Sequence, residues 1–224
     1  MARLCANFGI RELRLVAPRC DPSDPEAVRM AVRGSGLLEN AAQFSCLLDA
    51  VADCHRIVAT CGRLEHGVIP LQTPEEALPW LLEDVEANPV ALVFGREDRG
   101  LTNEELQLAQ RVLTLQSSPN YPSLNLSHAV AIVLHELQRC KKELSANYVP
   151  QRISNPASPR HLNDCLEDAQ SLLLEVGFLL EHTSEARMSK VRGLLQRAAA
   201  RPGEVALIRG MVRQLRWAIH SHRS

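Results

Sequence analysis

The sequence predicts an α/β chain built on a mostly parallel sheet and followed by a small all-α module. Three observations carry that prediction. Short apolar runs suited to strands alternate with helix signals through residues 1–146, in the order expected of an α/β unit. The run at 89–94, PVALVF, has no polar face, as in a parallel sheet covered on both sides. A proline-rich stretch, YVPQRISNPASP at 148–159, then breaks the chain before three helical patterns. The resulting division is a sheet domain over 1–146, a linker over 147–160 and a helical domain over 161–224.

The elements follow in order. Residues 2–9 read as the end of a helix stopped by Gly9, and 11–16 as a strand. Pro18, Pro22 and Pro25 interrupt the chain. Short helices are expected at 25–33 and 37–44, around Gly34-Ser35-Gly36, and at 46–53. HRIVAT at 55–60 is a strand that runs into Cys61-Gly62. Thr73-Pro74-Glu75-Glu76 is a helix start, with a capping threonine, proline in the first turn and glutamate three residues past the cap. After the strand at 89–94 comes GREDRG at 95–100, then a second capping box, Thr102 and Glu105, opening a helix through Gln110. Residues 112–115 form the last strand. Leu126, Ala129, Val130, Val133, Leu134 and Leu137 then repeat with helical spacing in a helix extending to about Leu144. Beyond the linker, helices are expected at 162–180, 184–200 and 204–220, the last two split by Arg201-Pro202-Gly203.

Composition narrows the function classes. The chain has 224 residues, 46% hydrophobic and 23% charged, enough for a domain of about 150 residues and an appendage. No run of roughly 20 apolar residues occurs, and the start, MARLCANFGIREL, lacks the apolar stretch of a signal peptide, which points to the cytosol and away from a membrane. Seven cysteines without a CxxC read as reduced thiols, with neither disulfide nor zinc. His135-Glu136 does not begin an HExxH, because position 139 is arginine, so no metal is expected. The net charge of −1 does not mark a nucleic-acid binder, but its distribution is uneven. Residues 1–150 carry 14 Lys and Arg against 19 Asp and Glu, and residues 151–224 carry 11 against 7. The basic excess lies in the tail, as if that part met an acidic partner.

Ligands of open parallel sheets bind beyond the carboxyl ends of the strands. Three post-strand loops qualify: 60–62, 95–100 and 117–124. Asn125 is placed to cap the helix that follows the third, leaving amide donors near a positive helix end. In the tail, Arg209, Arg213 and Arg216 are spaced i, i+4, i+7 beside the apolar face of the final helix. A solvated face and a phosphate-contacting surface both fit that stripe.

VALVFGREDRGLTNEEL (90–106) and YPSLNLSHAVAIVLHEL (121–137) together closely resemble the second and third signature motifs of the SPOUT (SpoU/TrmH) class of RNA 2′-O-ribose methyltransferases. The tail segments EVGFLL (175–180), SKVRGLLQRA (189–198) and EVALIRGM (204–211) are similar to members that methylate the pyrimidine at anticodon-loop position 32 of tRNA. The resemblance implies a C-terminal trefoil knot in the sheet domain, S-adenosylmethionine as cofactor, an obligate homodimer building each site from both subunits, and RNA binding by the tail. Carried over by position, cofactor contacts fall on Thr60, Cys61, Gly62, Gly95, Gly100, Leu115, Pro122, Ser123 and Leu124. The motif-one arginine falls on Arg3, near the reacting 2′-oxygen. Ser123 and Asn125 fall in orienting positions, and Glu97 or Arg96 would fix the loop or meet the dimer partner. One departure stands out: the strand carrying the family's Asn-x-Gly would lie before Met1. The alternatives are methylation of ribosomal RNA or of another tRNA position, and a cofactor- and RNA-binding protein made inactive by the missing motif. An unrelated nucleotide enzyme is disfavoured, because residues 95–100 match neither GxGxxG nor GxxxxGK[ST].

Overall fold

The structure is a computed structural model that describes residues 1–62, 70–83, 88–118, 120, 124–147 and 156–221. The chain opens with helix α1 (Ala2–Asn7), which ends as predicted before Gly9, whose φ of +67° lies in the left-handed region glycine tolerates. Strand β1 (Arg14–Val16) and helix α2 (Pro25–Ala31) follow, then a 3-10 turn (Val32–Gly34) running directly into α3 (Ser35–Glu39). The expected break at Gly34-Ser35-Gly36 is therefore helical. Gly34 is required for a different reason: a Cβ there would lie 2.5 Å from the Ala2 carbonyl oxygen, so glycine lets α1 close onto this turn.

Residues 42–44, expected as the end of a helix, are instead strand β2 (Ala42–Phe44), paired in parallel with β1. The pairing partner is distant in sequence and local propensity does not reveal it. Helix α4 (Leu47–Ala50) leads to β3 (Arg56–Thr60). A two-residue strand, β4 (Leu71–Gln72), precedes α5 (Pro74–Leu82), which starts on the predicted capping box of Thr73 and Glu76. Then come β5 (Val90–Val93), α6 (Asn103–Leu106) on the Thr102–Glu105 box, β6 (Arg111–Leu113) and α7 (Leu126–Asn147). Helix α6 stops four residues short of its expected end at Gln110. The chain must by then join the sheet, where the Gln110 amide donates to the Ile57 carbonyl at 3.2 Å.

The four-stranded sheet has the order β4-β6-β3-β5, with every pair parallel. Alternate residues feed two cores. Ile57, Ala59 and Val112 pack with Cys54, Val93 and Leu106 on one face, and Val58 and Leu113 pack with Leu78, Val130 and Val133 on the other. Strand β5 lies at an edge rather than at the centre, and three of its four residues are only partly buried.

Helices α8 (Pro159–Glu175), α9 (Glu181–Arg197) and α10 (Pro202–Ser221) share a third apolar cluster around Leu162, Cys165, Leu166, Met188 and Val205. They are tied to the sheet region through Gln107, whose Nε2 donates to Ser189 Oγ at 2.8 Å and whose carbonyl accepts from Gln196 Nε2 at 2.9 Å. Arg160 adds an ion pair to Asp49 at 3.2 Å. Among the described residues no helix is long and apolar enough to cross a membrane.

Candidate functional site

The three loops named from sequence follow β3, β5 and β6, and residues from each line one cleft of about 490 Å³. That volume falls within the range of about 300–1,000 Å³ common for small-molecule and cofactor sites. Thr60, Cys61 and Gly62 come from the first loop, Gly95 and Gly100 from the second and Leu124 from the third, with Leu115 from the segment between β6 and that loop. Pro122 and Ser123, expected beside them, lie outside the described residues. The linker at 148–155 does as well.

Each loop is held by local chemistry. Thr60 Oγ1 donates to the Val93 carbonyl at 3.1 Å, and the Cys61 amide donates to the Leu113 carbonyl at 2.9 Å, so the first loop is fastened to both neighbouring strands. The second loop folds back on itself: the Gly100 amide donates to the Arg96 carbonyl at 2.8 Å, and Gly100 has φ +70°. A Cβ on Gly95 would lie 2.3 Å from the Gly100 carbonyl carbon, so only glycine permits this close approach. Its charges are paired locally. Arg96 binds Asp98, whose carboxyl it holds below the usual carboxylate range, and Arg99 reaches Glu105 at 3.3 Å.

Asn125 joins the second and third loops. Its Oδ1 accepts from the Ser127 amide at 2.9 Å and from Ser127 Oγ at 2.6 Å, capping α7 as the sequence suggests. Its Nδ2 donates to Glu97 Oε1 at 2.8 Å. The positive end of a 22-residue helix is thereby latched to the glycine loop. Leu126, Ala129 and Val133 of α7 also line the cleft, together with Phe94 and Leu101. The spacing of 126, 129 and 133 was legible as one helix face, but nothing in the pattern shows that this part of the face borders a cavity.

Arg3 stands apart. It is exposed on α1, which packs against α7 and the Gly34 turn, and it is not among the residues lining the cleft. Arg209, Arg213 and Arg216 meet at a second cavity, of about 560 Å³, between α8 and α10. Two of them are engaged there: Arg209 Nε donates to Asp168 Oδ2 at 3.0 Å, and Arg216 Nη2 to the Asp168 carbonyl at 2.9 Å.

A cleft at the carboxyl ends of parallel strands, walled by a glycine-cradled loop and a capped helix, places the chain among α/β proteins with the ligand-site geometry of open parallel sheets. The particular family follows from comparison with known proteins. Residues 1–135 match the SpoU rRNA Methylase family, and the chain belongs to that family of RNA methyltransferases. It is 32% identical over 216 residues to the tRNA (cytidine/uridine-2′-O-)-methyltransferase TrmJ of Escherichia coli (strain K12), covering 95% of this chain and 87% of that protein. Among solved structures it is similar to TrmJ from Z. mobilis ZM4, with a TM-score of 0.81 at 28% identity, over 96% of this chain and 91% of the other. A probable methylase family protein from Haemophilus influenzae Rd KW20 matches with a TM-score of 0.60 at 27% identity, over 99% and 91%.

Proposed function

We propose that this chain transfers the methyl group of S-adenosylmethionine to a ribose 2′-hydroxyl of tRNA, at anticodon-loop position 32. The observation that carries the reading is the convergence of three post-strand loops on one cleft, in a chain 32% identical to a tRNA 2′-O-methyltransferase over 95% of its length. The tail segments at 175–180, 189–198 and 204–211 support the position.

The cleft suits the cofactor. Leu115, Leu124, Leu126 and Phe94 offer apolar walls for a purine, while Thr60, Glu97 and the backbone of 61–62 and 95–101 offer polar groups for ribose and the amino-acid end. Gly95 keeps the loop close enough for its backbone to follow a bent nucleoside. When bound, S-adenosylmethionine supplies a methyl group activated by a positively charged sulfur.

The chain's own tasks are to aim the hydroxyl and to stabilise the charge that develops on its oxygen. Arg3 takes the second task. A guanidinium does not give up its proton in a protein and so is a poor base; Arg3 stabilises the incipient alkoxide and the adjacent phosphate while the proton passes to solvent or to that phosphate. Ser123 and Asn125 orient the loop from which the methyl is delivered. Because Arg3 does not line the cleft of a single chain, a homodimer in which the partner's surface completes the site fits this arrangement. In this reading residues 1–146 form the catalytic domain with a trefoil knot near its C-terminal end, and 161–224 form an RNA-binding domain carrying Arg209, Arg213 and Arg216. The enzyme works in the cytoplasm, where its substrate is.

The test is incubation with methyl-labelled S-adenosylmethionine and unmodified tRNA, followed by nuclease mapping of the label. A labelled 2′-O-methyl pyrimidine at position 32 is expected. Label in ribosomal RNA or at another tRNA position would move the substrate assignment, and cofactor binding without transfer to any RNA would overturn the catalytic reading.

A further inference from the structure

Helix α10 carries an exposed aromatic ring that the reading above leaves unused, one turn from Arg213. Trp217 is 64% exposed, whereas the chain's other tryptophan, Trp80, is packed beside the Arg56 and Arg111 guanidinium groups at 5.1 and 4.6 Å. An indole left in water forgoes the burial that makes tryptophan useful to a core, so its position calls for a ligand or a partner. Its surroundings select which. Arg213 lies one turn before Trp217, at i, i+4, and is exposed with no partner among the described residues. Arg209 and Arg216 are held by Asp168 and form a fixed cationic wall at the cavity between α8 and α10. Helical spacing puts Ala206, Gly210 and Trp217 on one strip of the surface, so a shallow floor of small side chains runs beside the arginines toward the ring. The exposed apolar side chains of α10, Leu207, Met211 and Leu215, lie on the opposite shoulder and leave this strip basic and aromatic.

Aromatic faces interleaved with arginines suit unpaired nucleotides, whose bases stack while the adjoining phosphates meet cations. We propose that Trp217 is a stacking platform for an unpaired base of the RNA substrate, with Arg213 taking the neighbouring phosphate. This rests on the reading of the chain as an RNA methyltransferase and assigns part of its substrate recognition to one end of α10. A protein partner is the competing occupant, but three arginines around a single aspartate favour a polyanion.

The test uses the full chain with Trp217→Phe, Trp217→Ala and Arg213→Gln, titrated with unmodified tRNA and with a short unstructured RNA oligonucleotide. In the wild type, RNA should quench tryptophan emission. In Trp217→Phe, where only Trp80 emits, quenching should disappear while binding followed by anisotropy is largely kept. Trp217→Ala should weaken RNA binding by about tenfold, within the range found for loss of one stacked base. Arg213→Gln should weaken it and lower the salt dependence by about one phosphate contact. S-adenosylmethionine affinity and the far-ultraviolet circular dichroism spectrum should not change in any variant. Quenching that persists in Trp217→Phe, or unchanged RNA affinity in Trp217→Ala, would overturn the proposal. So would a wild type quenched by neither RNA, or a change in assembly mass in Trp217→Ala with RNA affinity intact, which would assign the ring to a protein contact. Quenching by the oligonucleotide in a wild type that neither binds nor methylates tRNA would uphold the platform and remove the tRNA assignment.

Discussion

The two ends of the central sheet solve opposite problems with similar residues. At the amino end of β3, Arg56 is 1% exposed, donates to the Trp80 carbonyl and to Glu83 Oε2 at 2.8 Å, and stacks on the Trp80 ring. Arg111 covers the same ring and donates to the Glu76 carbonyl at 2.9 Å, while Gln110 Oε1 accepts from the Ile57 amide at 2.8 Å. The hydrogen bonds made there join α5 to the sheet, and Arg56 Nε and Nη2 stay buried without a hydrogen-bond partner among the described residues. At the carboxyl end, Asn125, Glu97 and Asp98 are exposed, and the bond from Asn125 to Glu97 runs between loops beside an open cleft. The difference teaches that polarity alone does not mark a site in this fold. What marks it is polarity arranged around a space that glycine keeps open.

The largest expected effect sharpens that contrast from outside the cleft. Arg3→Ala should lower kcat by about 10²–10³-fold, the usual loss for one group stabilising an oxyanion, while S-adenosylmethionine affinity measured by calorimetry stays the same. Next comes the cleft itself. Gly95→Ala places a Cβ against the backbone of Gly100, and the displaced loop should weaken cofactor binding by about 10²-fold. The amino end should respond in stability instead. Arg56→Met should cost about 2 kcal/mol in denaturant unfolding, less than the 3–5 of a fully buried pair because Glu83 is 37% exposed, with cofactor affinity unchanged in the folded protein.

Smaller effects test the latch and the periphery. Asn125→Ala removes the α7 cap and frees Glu97, for a loss of about 1 kcal/mol in stability together with weaker cofactor binding. Glu97→Gln should show the weaker binding with little change in stability. Asp53, whose carboxyl the Arg14 side chain holds down to about 2, is more stable ionised in the fold than in the unfolded chain. Its stabilisation should be complete above about pH 4 and fade as pH falls from 4 to 2. Thermal unfolding of Asp53→Asn should therefore lie below wild type at pH 5–8 and converge with it near pH 2.

Much of the carboxyl end was legible in the residues. Both capping boxes, the Asn125 cap and the three post-strand loops have short local signatures, because their chemistry is satisfied within three or four residues. Strands β2 and β4 were not legible, since two or three residues become a strand only through partners far along the chain. The edge position of β5 escaped for a related reason: VALV reads as buried on both faces, and only the strand order reveals the open side. The bond from Asn125 to Glu97, and the capture of Arg209 and Arg216 by Asp168, depend on side chains 28 to 48 residues apart. No periodicity reports such meetings.

The central claim is that the ligand sits at the carboxyl end of the sheet, and hydrogen–deuterium exchange with and without S-adenosylmethionine tests it most directly. Slower exchange is predicted at residues 61–62, 94–101 and 124–129, with none at 74–83 and 110–112. Protection confined to the amino-end segments, or unchanged exchange at 94–101 under saturating cofactor, would contradict the account.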